Sequence, residues 1–269
     1  MIYVLFYYII GYRKKVVLEN LAKAFPEKTN AERIFIAKEF YNHFCDLIVE
    51  SLKMFTISEH EVKRRMVCKS SDVPDMYYDQ KKSILIAGGH YGNWELAALA
   101  IDGFMKHQGA AIYLLLSDPY FDNKMKESRG RYGLKMISTR AVKPYFEENK
   151  GNLTASIFLV DQSPKHPSTS YWTSFLKQET AVSFGIEKYA KELNYPVVYF
   201  HLKKLRRGFY EMSFEDVAPS PKETAYGEIT EKVTAMAEAD VLYEPAYWLW
   251  SHKRWKFTKP SEVKGPIEE

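Results

Sequence analysis

Cysteine is nearly missing from this chain of 269 residues: Cys45 and Cys68 stand apart, with no CxxC pair. They can build neither a disulfide framework nor a cysteine-based zinc site, and a reducing compartment is the default. The 7 histidines contain no HExxH and no paired ligand spacing, so no metal centre is expected. A GxSxG nucleophile turn is also lacking, which leaves a serine hydrolase without support. Charge is short of what a nucleic-acid binder needs: the net is only +4, with no basic stripe on a known motif. Long apolar runs are absent too. The run Met1–Ile10 is 10 residues long, about half of what a spanning helix requires, and no positive residue precedes it as in a signal peptide. It reads as an interfacial anchor, as the tail of a longer membrane segment, or as a buried helix. Whether Met1 is the natural start is not legible.

What is present describes a globular α/β chain. Hydrophobic residues make up 46% and charged ones 27%, enough to bury a sizeable core. The 20 Tyr and 16 Phe suit either a lipid interface or an aromatic core. Positive residues cluster at Arg13-Lys14-Lys15, at 203–207 and at 252–256, where they can meet anionic surfaces or simply line loops and helix ends. Apolar residues from Ile34 to Phe55 recur at helical steps, predicting a helix over 31–55 capped by Thr29 or Asn30. Beyond it, strands are predicted at 83–87, 110–116, 134–137, 154–161, 196–202 and 209–217. Helices are predicted at 93–106, 122–132, 142–148, 182–193, 222–239 and 243–255. Such alternation implies a mostly parallel central sheet flanked by helices. Residues 1–60 are expected to form an N-terminal helical, membrane-proximal extension and 61–269 a single α/β unit.

The chemistry concentrates at Gly88-Gly89-His90-Tyr91-Gly92-Asn93-Trp94-Glu95. This segment leaves a buried strand and opens a helix, the place where open α/β sheets form their sites. Five steps along one continuous helix would leave His90 and Glu95 on different faces. A glycine-bearing turn before the cap Asn93 instead lets Glu95 reach back to the imidazole. A carboxylate on one ring nitrogen frees the other to take a proton from a substrate hydroxyl. The plainer alternative is a capping glutamate beside a hydrogen-bonded core histidine.

This segment resembles the HxxxxD/E motif of glycerolipid acyltransferases. More closely, the chain is similar to the bacterial lipid A late acyltransferase family, also called the lysophospholipid acyltransferase family. The matching stretches include Gly11-Tyr12-Arg13-Lys14 with Asn20-Leu21 and Phe25-Pro26, then Phe40-Tyr41 with Asp46, then Gly89–Glu95. They continue through Arg129 with Gly133, Asp161-Gln162-Ser163-Pro164, Phe175-Leu176 with Thr180 and Gly185, and Leu249–Lys256. They run in family order along nearly the whole chain.

The resemblance implies transfer of a fatty acyl group to a lipid hydroxyl at the cytoplasmic face of the inner membrane. No cofactor is implied; acyl carrier protein or coenzyme A brings the acyl group as a thioester. His90 and Glu95 carry over as the catalytic pair. Arg129 is implied near an acceptor phosphate or the oxyanion, unless it is a helix-surface arginine. Asp161, with Gln162 beside it, would end a strand next to the His90 loop, there to anchor that loop, bind a headgroup or cap turn amides. Gly89, Asn93 and Thr180 complete the expected substrate-binding set. The acceptor stays open among a lipid A precursor, a lysophospholipid and an amino-acid lipid. A non-catalytic lipid-binding protein on the same fold is the remaining alternative, and loss of His90 or Glu95 would have favoured it.

Overall fold

The structure, a computed structural model, describes residues 2–261; Met1 of the apolar run and the tail 262–269 fall outside the described residues. Among the described residues nine strands occur: β1 (Met66–Cys68), β2 (Ile84–Gly88), β3 (Gln108–Tyr113), β4 (Lys135–Ser138), β5 (Thr154–Leu159), β6 (Tyr171–Phe175), β7 (Gln178–Val182), β8 (Val197–Arg206) and β9 (Phe209–Ala218). Seven of them form one sheet in the order β1-β9-β8-β2-β5-β3-β4. β8, β2, β5, β3 and β4 run parallel, while β9 returns antiparallel to β8. All residues of β2 are buried, as expected of a strand covered on both faces. The expected α/β architecture with a mostly parallel sheet is therefore what the chain adopts.

The carboxyl ends of the five parallel strands share one edge. The helices begin with α1 (Ile2–Val4) and α2 (Lys14–Ala24), and α5 (Asp72–Asp79) precedes β2; on one face lie α4 (Glu59–Arg65), α6 (Trp94–Ala100) and α7 (Pro119–Arg129), with α3 (Asn30–Lys53) packed on α6. On the other lie α8 (Val142–Glu148), α9 (Gly185–Leu193) and α10 (Glu228–Tyr243). Side-chain alternation assigns the faces: Leu134 lies beside Gly109 and Asp102 near α6, whereas the Phe158 ring meets Tyr189 of α9 at 6.3 Å. The helix expected over 31–55 is α3, and a full capping box starts it: Thr29 accepts from the Glu32 amide while Glu32 accepts from the Thr29 amide.

The N-terminal apolar run is helical but short. It packs Tyr7 against Tyr41 and Phe6 against Phe44 of α3, while Val4, Leu5, Tyr8, Ile9 and Ile10 stay exposed. Among the described residues no helix is long and apolar enough to cross a membrane.

The helix expected at 122–132 runs over Pro119–Arg129, the strand expected at 110–116 ends at Tyr113, and three further elements differ more. The helix expected at 93–106 stops at Ala100 and continues only as a 3-10 turn over Ile101–Phe104. The one expected at 222–239 runs over Glu228–Tyr243 instead, after Gly227 at φ +88°. The stretch 243–255 is not a helix. Pro245 disfavours helical geometry at Glu244, and beyond a short 3-10 turn the chain runs back to the His90 loop, where Trp248 bridges Tyr91.

Candidate active site

Register builds the site. β2 and β5 pair in parallel with Gly88 opposite Leu159, and the Val160 amide donates to the Gly88 carbonyl. Two residues further along, the same pairing sets His90 against Asp161. Their contact is double: His90 Nδ1 lies 2.7 Å from Asp161 Oδ1, and the His90 amide donates to Oδ2 at 2.8 Å. Trp248 Nε1 also donates to Oδ2, at 2.8 Å. Asp161 is only 4% exposed. Burial pushes its carboxyl up, but the His90 charge and these hydrogen bonds outweigh it and hold it down at about 2. The carboxylate therefore stays ionised through neutral pH, fixing Nδ1 as the protonated ring nitrogen and leaving Nε2 for the cavity.

This corrects the expectation that Glu95 orients the imidazole. Both Glu95 oxygens instead face Arg129, at 2.8 Å to Nε and 2.6 Å to Nη2. Burial disfavours the guanidinium charge, but the Glu95 hydrogen bonds and charge more than offset it, and the Arg129 pKa rises. Glu95 sits in the first turn of α6 and Arg129 ends α7, so the pair bridges two helices with the fork geometry that suits arginine. The reading of Arg129 as a surface residue fails, because it lines the cavity.

The backbone of the loop is pinned from below. Gly88 admits no side chain, since a Cβ would stand 2.1 Å from the Phe200 ring. Gly92 takes φ +59°, a left-handed turn that glycine adopts freely. Its carbonyl meets His43 Nε2 at 3.1 Å and its amide donates to the Tyr247 carbonyl at 3.0 Å. Lys204 Nζ sits 3.3 Å from His43 Nδ1, which fixes Nε2 of His43 as the donor to Gly92. Asn93 caps α6 through the Leu96 amide and donates to the half-buried Glu50, which Tyr210 also contacts. Asn93 is thus a support for the turn rather than a cavity wall. Gly89 is not among the residues that line the cavity; a Cβ there would meet Asp161 Cγ at 3.4 Å, an ordinary contact.

A cavity of about 690 Å³ opens at His90, within the range of ligand sites. Its mouth carries His90, Glu95, Arg129, Gln162, Ser163 and Lys165. Its depth is apolar: Ala97, Ala98 and Ile101 face Ala111, Leu134 and Met136. Gly185 lines it as well, but Thr180 does not; its hydroxyl donates to the Gln178 carbonyl and accepts from Trp255 Nε1.

Sequence reasoning missed Trp248, His43 and Glu50. Of the basic cluster at 252–256 Arg254 is buried, as are Trp248 and Trp250 just before it, and only Lys253 and Lys256 of its basic residues stand exposed. His252 accepts from the Ser163 amide and Ser163 Oγ donates to the Arg254 carbonyl, so the stretch braces the Asp161 loop. Its signal was the resemblance itself, in which 249–256 and 161–164 both figure.

A family model described as bacterial lipid A biosynthesis acyltransferase matches residues 3–257. The chain belongs to that family. A comparison with curated proteins gave no match. This acyltransferase thus spans the family's pattern from its N-terminal helices through the C-terminal brace, with the His90 loop and the Asp161 strand end inside the matched region.

Proposed function

We propose that this acyltransferase moves a fatty acyl group from an acyl thioester, on acyl carrier protein or coenzyme A, to a hydroxyl of a membrane lipid. The acceptor we favour is a lipid A precursor at the cytoplasmic face of the inner membrane. One observation carries the reading: an imidazole locked on a buried carboxylate stands at the mouth of an apolar cavity of about 690 Å³. Nε2 of His90 takes the proton of the acceptor hydroxyl as its oxygen attacks the thioester carbon. The tetrahedral adduct then expels the thiolate, the C–S bond breaks, and the imidazolium returns the proton to sulfur. An ester and a free thiol result, with no change of oxidation state. Arg129, its charge secured by Glu95, meets an anionic oxygen of the substrate, either the developing oxyanion or an acceptor phosphate. The aliphatic depth takes the acyl chain.

The test is transfer by the purified protein, read by mass spectrometry of the lipid product. His90→Ala should lower the rate by about 10² to 10⁴ while leaving the fold intact. Full activity in that variant would make the protein a lipid binder or move the chemistry elsewhere. Comparing cellular lipids with and without the active enzyme identifies the acceptor, and a lysophospholipid or amino-acid lipid product would displace the lipid A precursor.

A further inference from the structure

Beside the polar mouth, one side of the cavity rim is exposed and apolar. β3 ends at Tyr113, and within the next eight residues Leu114, Leu115, Leu116, Tyr120 and Phe121 are 53%, 46%, 48%, 65% and 61% exposed. Hydrogen bonds hold this projection in shape. The Leu116 amide donates to Asp122 Oδ1 at 2.9 Å, and the Phe121 amide to Asp118 Oδ1 at 3.0 Å. The Tyr120 and Phe121 rings meet edge to face at 5.9 Å. Contiguous exposed apolar surface of this kind marks a contact with a partner or a membrane.

Two observations select the occupant. The first is continuity: Leu114 and Leu116 also line the cavity, so the apolar rim runs without a break into the apolar depth. The second is charge. Lys165 stands at the mouth, Arg140 follows β4 and Lys143 opens α8, all on the same sheet edge. Among the described residues these three form no ion pair. Of the acids nearby, Asp122 is paired with Lys126, while Asp118 within the projection, which accepts from the Phe121 amide, and Glu147 and Glu148 of α8 keep their charge. An apolar tip on a sheet edge that also carries three cations outside any ion pair complements an anionic bilayer.

We infer that residues 114–121 are a docking lip that enters the surface of an anionic bilayer and seats the cavity mouth on it. This rests on the reading of the acceptor as a lipid, and it places the contact at the active-site rim rather than at Arg13-Lys14-Lys15. The test uses the full chain and a triple variant, Leu115→Ser with Tyr120→Ser and Phe121→Ser. None of these three lines the cavity. Co-sedimentation with phosphatidylglycerol–phosphatidylcholine vesicles should fall roughly tenfold or more in the triple variant, as expected on losing three apolar anchors. Arg140→Glu with Lys143→Glu should weaken binding to those vesicles and leave the weaker binding to pure phosphatidylcholine unchanged. The melting temperature of the triple variant, and its turnover of acceptor in neutral detergent micelles, should match the parent. Wild-type binding by the triple variant overturns the lip, as does loss only when the exposed N-terminal apolar residues are changed, or an affinity for acyl carrier protein that falls in place of vesicle binding. A parent inactive in micelles that still binds vesicles through the lip would instead sink the acyl-transfer reading and leave the docking surface standing.

Discussion

Asp161 and Glu95 are two carboxylates within reach of one short loop, and their partners divide the labour. Asp161 is buried, ionised and bonded to an imidazole nitrogen; Glu95 faces the cavity and is committed to a guanidinium. Each pair should behave as a unit in kinetics, because the second removal in a unit finds its function already lost. Asp161→Asn should cost about 10² to 10⁴ in kcat/KM by leaving the imidazole without its charge partner. Combined with His90→Ala it should add little. Glu95→Gln and Arg129→Gln should likewise be mutually non-additive, while Asp161→Asn and Arg129→Gln should come close to multiplying. A four-way set of kcat/KM values checks this. Strong coupling of Glu95 to His90, with Asp161 independent of both, would restore the arrangement expected from sequence.

At the scale of elements, one face of α6 and the facing strands form the wall of the acyl site. From Trp94 to Ile101 the helix axis advances about 10 Å, and small side chains, Ala97 and Ala98 opposite Ala111, keep that length open. Ala98→Phe or Ala111→Leu should therefore close the deep end. Short-chain donors should retain their kcat/KM while long-chain donors lose it. At about 0.8 kcal/mol per methylene, denying four methylenes their burial costs roughly 3 kcal/mol, or about 10²-fold. Competition between donors of different length reads the shift directly, and an equal loss for all lengths would place the chain elsewhere.

The elements that form this wall were legible because alternation of apolar strands with amphipathic helices survives in the sequence, as did the glycines around His90. What was not legible has physical causes. The pairing of His90 with Asp161 depends on a register across 71 residues, which no local pattern encodes. The β6–β7 hairpin turns at Leu176 and Lys177, both at positive φ, without the Asn-Gly signal such turns usually carry. The basic cluster at 252–256 left surface contact and local packing equally open, because composition cannot distinguish a buried brace such as Arg254 from a docking patch.

Across the whole molecule, the edge of the sheet that carries the site is held by groups that acid should discharge or charge. Burial, aided by the Lys204 charge, pushes His43 beneath the loop down to about 3. Burial also pushes His252, on the Asp161 loop, down to about 4. Both values lie below the ordinary histidine range near 6.5, so the unfolded chain binds protons before the folded one does. Their contribution is complete above pH about 6.5 and is lost as pH falls through about 4 and then 3. Asp161, ordinarily near 4 and held at about 2, adds its own loss below pH about 4 by the same linkage. Calorimetry should therefore show the melting temperature falling steadily from pH 7 to pH 4, with activity lost alongside. His252→Asn, which keeps an acceptor for the Ser163 amide but cannot be protonated, should flatten the fall between pH 6 and pH 4 while leaving the steeper loss at lower pH. A melting temperature constant from pH 7 to pH 4 would mean that these imidazoles titrate normally, and a slope unchanged in His252→Asn would mean that His252 of the C-terminal brace carries none of the loss.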